Sequence, residues 1–524
     1  MRAGLPVRVT LLLLTLSAPL AGFPAPVRAA ELFLVDEREI YIALDKLNAM
    51  GALPGFLANT RPYNLKAVRA ALDNNPVATG GAGFESSLAQ WVALYTKDTV
   101  MARGTVAGGW SDNGTDRQDN DGVPTPDGFS GGLTALGRWE PLSWFSGHAK
   151  GVAIFGQENE QGCQPRPGRN PGEVNGVICS GDGQGFQAGD TAVEFGHRYL
   201  SLQAGLLSTW YGPGRRGSLI LTNNAQPYPG IRLHNPVPIP MPWIFSFLGN
   251  LQYDFFLAQL DQDRPVPNSR LSGMRLAVRP SAFLEIGISR AMHWGGDGQN
   301  NGLDAFWDAL VSDTGDFAEE GGVLQNNLAG YDVELTLPFK VQPLQLYFEA
   351  IGEDQQQGEI IPVPVPEKWG YLGGVFLPAI LGSAAFDLRF EFATNSTGNY
   401  GTWWYTHPSY PHDYKGRYLG HPMGTDAQDL FVEGHWFFLP STYLELNWTS
   451  TTRYYGSGTI YYTPGAAEER INRIGASFIG WFTKAVRIQA LLEAIQIKNE
   501  GGAPGKNASD FGLEVALSWQ YSGM

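Results

Sequence analysis

From about Thr99 to the C-terminus, apolar and polar residues alternate one for one. Tyr331, Val333, Leu335 and Leu337 alternate with Asp332, Glu334 and Thr336; Phe386, Leu388, Phe390 and Phe392 alternate with Asp387, Arg389 and Glu391. Leu444, Leu446 and Trp448 alternate with Glu445 and Asn447, and Phe511, Leu513, Val515, Leu517, Trp519 and Tyr521 with Gly512, Glu514, Ala516, Ser518 and Gln520. A period of two places successive side chains on opposite faces of a β-strand. Upstream the period is helical. Asp36 and Glu39 have capping-box spacing before Ile40, Ala43, Leu44 and Leu47, and Gly51 and Pro54 stop that helix. Asn64 is placed to cap a second helix carrying Leu65, Val68, Ala71 and Leu72, ended by Asp73 to Pro76. Leu88, Trp91, Val92 and Tyr95 mark a third, from about Ser86 to Tyr95. Residues 30–98 therefore read as a small helical unit, too small to bury much surface alone and expected to pack on something larger.

A soluble sandwich also alternates, but its polar face meets bulk water and is dominated by Lys and Glu. Here the apolar face is rich in Phe, Trp and Tyr while charges of both signs are sparse, as expected of strands that meet lipid on one side. Residues 99–524 are thus predicted to form an all-β transmembrane barrel of antiparallel strands. A membrane strand takes about 9–11 residues; with alternating short turns and longer loops the segment holds roughly 17–21 strands, and bacterial barrels are even-numbered, so eighteen is expected, with sixteen and twenty as alternatives. Polar connections at 111–128, 158–189, 212–230, 295–322, 352–368 and 395–426 fall at alternate turns. If the helical unit is periplasmic, they face outward.

Composition agrees. Of 524 residues 66 are Gly, 12% are aromatic and only 17% charged, against roughly 25% charged in soluble domains, yet mean hydropathy is only −0.17. The two longest apolar runs, 236–248 and 372–386, are interrupted by Pro, Gly or Ser, so helical spans are not expected. Residues 1–29 read as a signal peptide: Arg2 and Arg8, an apolar stretch from Leu11 to Leu20, and cleavage after Ala29. Removing Arg2, Arg8 and Arg28 takes the net charge from −15 to −18, a sign that disfavours nucleic acid as a partner. In an oxidising compartment Cys163 and Cys179, within one Gly/Pro-rich loop, are expected to form a disulfide, and neither has metal-like companions.

Several patterns resemble catalytic or metal motifs. Gly212 to Gly217 spells G-x-G-x-x-G, but no helical period follows, which excludes a dinucleotide fold. Gly128 to Gly132 spells a nucleophile elbow but leads into another strand, so no enzyme is read from it. Asp116, Asp119, Asp121 and Asp127 crowd one loop; the reading is a solvated acidic loop or a weak divalent site. His407, His412 and His421 sit among Tyr and Trp, which leaves glycan contact, structural loop packing or a transition-metal site open. No cofactor is expected.

The chain resembles the Wzi family of capsule-assembly outer-membrane proteins. The resemblance rests on Trp210-Tyr211-Gly212-Pro213-Gly214 followed by Gly217-Ser218-Leu219-Ile220, and on Ser289-Arg290-Ala291-Met292-His293-Trp294-Gly295-Gly296-Asp297-Gly298 followed by Phe306-Trp307-Asp308. Asn327 to Asp332, Ile351 to Asp354, Tyr405-Thr406-His407 and Gly420-His421-Pro422-Met423-Gly424 continue it in order. It implies an eighteen-stranded barrel with an N-terminal periplasmic helical bundle, and a lectin-like role holding capsular polysaccharide at the surface. The Cys163–Cys179 loop looks enlarged relative to the family, so glycan specificity does not carry over. The resulting expectation is a non-catalytic, monomeric outer-membrane lectin. Its partners are capsular or extracellular polysaccharide, outer-membrane lipid and lipopolysaccharide, and the barrel-assembly machinery; a diffusion porin is the alternative. Expected polysaccharide contacts are Trp210, Tyr211, Trp294, Trp307, Trp403, Trp404, Tyr405 and His407 by stacking, with Arg215 and Arg216 pairing carboxylates.

Overall fold

The computed structural model describes residues 30–75, 83–112, 117–157, 163–167, 174–179, 185–311, 325–357, 364–396, 404–455 and 465–523. The expected signal peptide lies outside them. Among the described residues, eighteen antiparallel strands close one barrel. They are β1 Val100–Ser111, β2 Asp127–Leu142, β3 Phe145–Gln157, β4 Gly185–Ala188 resumed at Thr191–His197, β5 Leu200–Leu207 and β6 Tyr228–His234 resumed at Ile239–Pro240. Next come β7 Asn250–Gln259, β8 Arg270–Ser281, β9 Leu284–Trp294, β10 Gln325–Leu337, β11 Leu344–Gln357 and β12 Pro364–Leu377. β13 Phe386–Thr394, β14 Ala427–Leu439, β15 Thr442–Arg453, β16 Glu469–Trp481, β17 Val486–Lys498 and β18 Ala508–Gly523 complete the circuit. Closure is by β1 on β18, from Val100 opposite Gly523 to Ser111 opposite Gly512.

The two faces of each strand invert the soluble pattern. Tyr331, Phe390, Leu446 and Leu513 point outward and are 45%, 42%, 56% and 39% exposed, whereas Asp332, Glu334, Arg389 and Glu445 point inward and are buried. Burying charge in the interior of a sandwich is prohibitive, and exposing this much aromatic surface to water is unfavourable. Both arrangements are stable when the outside is acyl chain and the inside is polar. At the end of the short turns Trp144, Phe283, Phe339 and Phe482 are exposed, as in an interfacial girdle. No helix of the described residues is long and apolar enough to cross a membrane.

Residues before β1 form α1 Arg38–Ala49, α2 Leu65–Asp73 and α3 Phe84–Tyr95. Ile40, Leu44, Leu47, Leu65, Val68, Leu88 and Val92 make their shared core. Asn64 caps α2 as expected, its side chain accepting from Lys66 N at 2.9 Å. α1 differs: its cap position is Glu37, not Asp36, and no side chain caps it. The Glu37 carboxylate instead accepts from Phe33 N at 2.8 Å and from Tyr95 Oη at 2.7 Å. The 352–368 connection is also shorter than expected, because β11 and β12 continue to Gln357 and from Pro364.

Candidate binding site

The helical unit sits over the short-turn end of the barrel and meets a ring of inward-facing side chains. Lys46 Nζ reaches Asp387 of β13 at 2.9 Å, with both side chains fully buried. Arg38 Nη2 reaches Glu433 of β14 at 3.0 Å and Glu445 of β15 at 2.8 Å. Arg69 pairs with Glu140 of β2 at 3.0 Å, and Asn48 donates to Glu334 of β10 at 3.0 Å. Polarity reverses at Glu39, which accepts from Arg487 of β17 at 3.1 Å, and at Glu31, which faces Arg232 of β6 at 3.3 Å. Apolar contact between unit and barrel is confined to small patches, one of them Ile42 with Phe437, Tyr443 and Ile479. Burial pulls the Lys46 ammonium below its ordinary range, the nearby Asp387 carboxylate only partly opposing it.

Two long connections fold back into the lumen from the other end. In the first, 208–227, Trp210 and Tyr211 pair with Arg61 and Thr60 of the helical unit as a two-residue ladder. Arg215 N and Arg216 N donate to the Glu391 carboxylate at 2.7 and 3.0 Å, and Ser218 Oγ to Glu349 at 2.8 Å. In the second, 395–426, Tyr405 N donates to Glu353 at 2.7 Å. His412 Nε2 donates to Ile220 O at 2.7 Å, which leaves its Nδ1 to accept from His293 Nε2 at 2.8 Å. The two connections pack Leu219, Ile220, Tyr405, Leu419 and Met423 against Leu328, Ile351 and Leu372 of the wall. Gly420 permits this approach: a Cβ there would lie 2.4 Å from Tyr405 Oη and 2.6 Å from Leu219 O. Burial holds His412 neutral, its pKa drawn down to about 4.

This arrangement places the expected contact residues unevenly. Trp210, Tyr211, Trp294, Trp404 and Tyr405 are buried. Trp404 Nε1 donates to Lys368 O at 3.0 Å, Trp294 Nε1 to Ser272 at 2.9 Å and Tyr211 Oη to Asp254 at 2.5 Å. Their rings are enclosed by the protein, and Trp210 alone leaves its indole N–H without an acceptor among the described residues, so as placed they pack the lumen and offer no sugar-stacking face. Trp307 stands apart, 57% exposed on the helix Leu303–Val311 (α4) of the 295–324 connection, and His407 is half-buried. Trp403 lies outside the described residues. Backbone pairing sets Cys163 opposite Cys179 in a ribbon of Cys163–Pro167 and Val174–Cys179; the side chains of this pair lie outside the described residues.

The motif readings resolve in the same way. The 212–217 glycines form the turn of the first inward connection, not a nucleotide loop. The acidic loop is not simply solvated: Asp121 is paired with Lys150 at 3.0 Å and Asp119 with Arg216 at 3.0 Å, and Asp116 lies outside the described residues. Burial raises the Asp119 pKa to about 7 despite its arginine. The three histidines do not converge, since His412 engages His293, and His421 and His407 accept from neighbouring backbone N–H groups. Two other carboxylate–histidine clusters, Glu433–His435–Glu445 and Glu31–His148–Asp190, already hold the guanidinium groups of Arg38 and Arg232.

The inward connections lie against β7 to β13, so the lumen is filled eccentrically. Along β14 to β18 and β1 to β3 a cavity of about 380 Å3 remains, within the ~300–1,000 Å3 usual for ligand sites. Its barrel wall combines small or amide-bearing residues, among them Ala107, Thr134, Asn447, Thr449, Gln489 and Ala516, with charged ones such as Arg473, Arg487 and Glu493; Arg38 of the helical unit and Arg215 and Arg216 of the first connection also line it. Arg215 and Arg216 stand in a motif that the sequence singles out. Arg38 does not, because nothing in the α1 sequence says which strands will face it.

Residues 101–510 match the protein family described as capsule assembly protein Wzi. A Klebsiella pneumoniae protein described as an uncharacterized 55.8 kDa protein in the cps region is 32% identical over 210 residues, a match spanning 39% of this chain and 39% of that protein. The solved structure of Escherichia coli Wzi, described as an outer membrane protein involved in group 1 capsule assembly and a carbohydrate binding beta-barrel, shares the fold with a TM-score of 0.68. It is 20% identical, covering 95% of this chain and 99% of that one.

Proposed function

The chain belongs to the Wzi family of capsule assembly proteins, and on that premise we propose that it is a non-catalytic outer-membrane lectin holding capsular or extracellular polysaccharide at the cell surface. The observation that carries this reading is the occupied lumen. Helical unit and inward connections meet inside the barrel, where Gly212 N donates to Asn59 O at 2.9 Å. A barrel so filled is suited to binding, and the same observation weighs against a diffusion porin. The helical unit, residues 30–98, is then periplasmic and the long connections are extracellular. Trp307 and His407 are the proposed surface contacts, and a Cys163–Cys179 disulfide is proposed to brace the neighbouring loop. The protein is proposed to stand as a monomer among lipid and lipopolysaccharide, inserted by the barrel-assembly machinery through β18. The test is to delete the chain from its host and measure cell-bound and released polysaccharide separately. The expected result is unchanged total polysaccharide with a several-fold fall in the cell-bound share; unchanged retention would refute the proposal.

A further inference from the structure

The eccentric cavity differs in charge from the rest of the molecule. The chain carries 36 Lys and Arg against 51 Asp and Glu, but the cavity is lined by nine Lys or Arg and six Asp or Glu. Some of those cations share acids: Glu433 alone serves both Arg38 at 3.0 Å and Arg215 at 3.2 Å. Four guanidinium N–H groups in this lining make no hydrogen bond among the described residues, namely Arg38 Nε, Arg215 Nη2, Arg216 Nε and Arg487 Nε, although Asp429 lies 3.7 Å from Arg216 Nε. A buried donor without an acceptor is unfavourable, so the wall is one acceptor short at each of these places. Arg38 lies deep in the barrel, yet 37% of its side chain is accessible because it faces this space. At the opposite end the lining reaches Arg117 and Glu514, whose side chains are 22% and 31% exposed. The space thus extends from the helical floor to the loop end of the strands.

We infer that this cavity is a binding site for an acidic sugar residue, its carboxylate taken by Arg38, Arg215 and Arg216 and its hydroxyls by Asn447, Thr449 and Gln489. Planar guanidinium groups suit a carboxylate, and short polar side chains opposite leave room for a pyranose ring while supplying donors and acceptors. Filling on one side only is what makes the site: the inward connections cover β7 to β13 and present their arginines towards the uncovered wall. The inference rests on the lectin reading and names its ligand class, a polysaccharide bearing uronate or similar carboxylates whose chain end or side branch enters the barrel.

The experiment uses the full mature chain in detergent, titrated calorimetrically with tetragalacturonic acid and, in parallel, with neutral maltotetraose. Ala516→Trp and, as a second variant, Thr134→Trp fill the cavity from the barrel wall and leave its arginines in place; Val515→Trp, on the lipid face of the same strand, is the control. Heat-modifiable migration on gels establishes that each variant is a folded barrel. The expected result is preference for the acidic tetrasaccharide by at least tenfold, loss of at least tenfold in affinity in each folded cavity-filling variant, and no change in Val515→Trp. Equal affinity for both tetrasaccharides, no binding of the acidic one, or a folded cavity-filling variant binding it as well as the parent would overturn the inference. Polysaccharide retention by cells separates the two levels. If retention depends on the chain but Ala516→Trp restores it fully, the cavity assignment fails and the lectin reading stands; if retention does not depend on the chain, the lectin reading fails.

Discussion

His412 shows what a single side chain must do inside a barrel. Its ring donates to Ile220 O and accepts from His293, which only the neutral tautomer protonated at Nε2 can do. Burial lowers its pKa to about 4, below the ~6.5 of an exposed histidine. The undocked connection therefore binds a proton that the docked one refuses. The stabilisation is fully present above pH ~6.5 and is lost as pH falls towards 4, about 3 kcal/mol in all. Hydrogen exchange across 404–426 should rise over that window in the parent chain, and His412→Gln, which keeps one donor and one acceptor, should flatten the response. Trp307 is the opposite case, exposed on α4. Trp307→Ala should change stability by about 0.5 kcal/mol or less while lowering cell-bound polysaccharide several-fold, read by thermal melting and by the retention assay; unchanged retention removes Trp307 from the site. Residue type did not separate these cases. Trp404, Tyr405 and Trp307 all carry an apolar face and a polar tip, and that description suits a sugar platform and a lumenal core equally. What divides them is whether their connection turns inward, a long-range property that local composition does not encode.

Elements were legible to the degree that their own period fixed them. β10, β13, β15 and β18 alternate so strictly that the lipid face follows from the sequence, and the structure exposes the residues expected. The three helices were legible from apolar spacing, and the α2 cap from Asn64. The α1 cap was not, because Glu37 is drawn into contacts with Phe33 N and Tyr95 that depend on tertiary placement. That the helical unit packs on something larger was legible from its size; the face it docks with was not, since α1 reads as an ordinary amphipathic helix. In the structure its polar face meets the barrel, and Lys46 is sealed against Asp387. Removing one partner of a buried pair costs about 3–5 kcal/mol because the other charge is stranded. Lys46→Met should therefore loosen α1, seen as faster hydrogen exchange across 38–49 with the barrel strands unaffected. Lys46→Met combined with Asp387→Leu should recover much of the protection. Exchange that stays slow in the single variant would show that the unit is held by its apolar patches.

At the scale of the whole molecule, the barrel closes on itself through β1 and β18 and takes no strand from the described residues of 30–98. Chain length and strand spacing bound the strand number to roughly 17–21, with eighteen the expected value and sixteen and twenty the alternatives; the filling of the lumen does not follow, because a lumen-facing strand looks the same whether it meets water or a plug. Two separate parts of the chain, the helical unit below and the inward connections above, occupy a lumen that the barrel alone would leave open. A chain lacking residues 30–98 should still form a heat-modifiable barrel, and should lose part of the seal. Single-channel recording of the full mature chain in planar bilayers, beside that shortened chain, tests this account most directly. It predicts that the full chain gives currents well below those of an open eighteen-stranded pore and that the shortened chain conducts several-fold more. Large, stable open-channel currents from the full chain would contradict it.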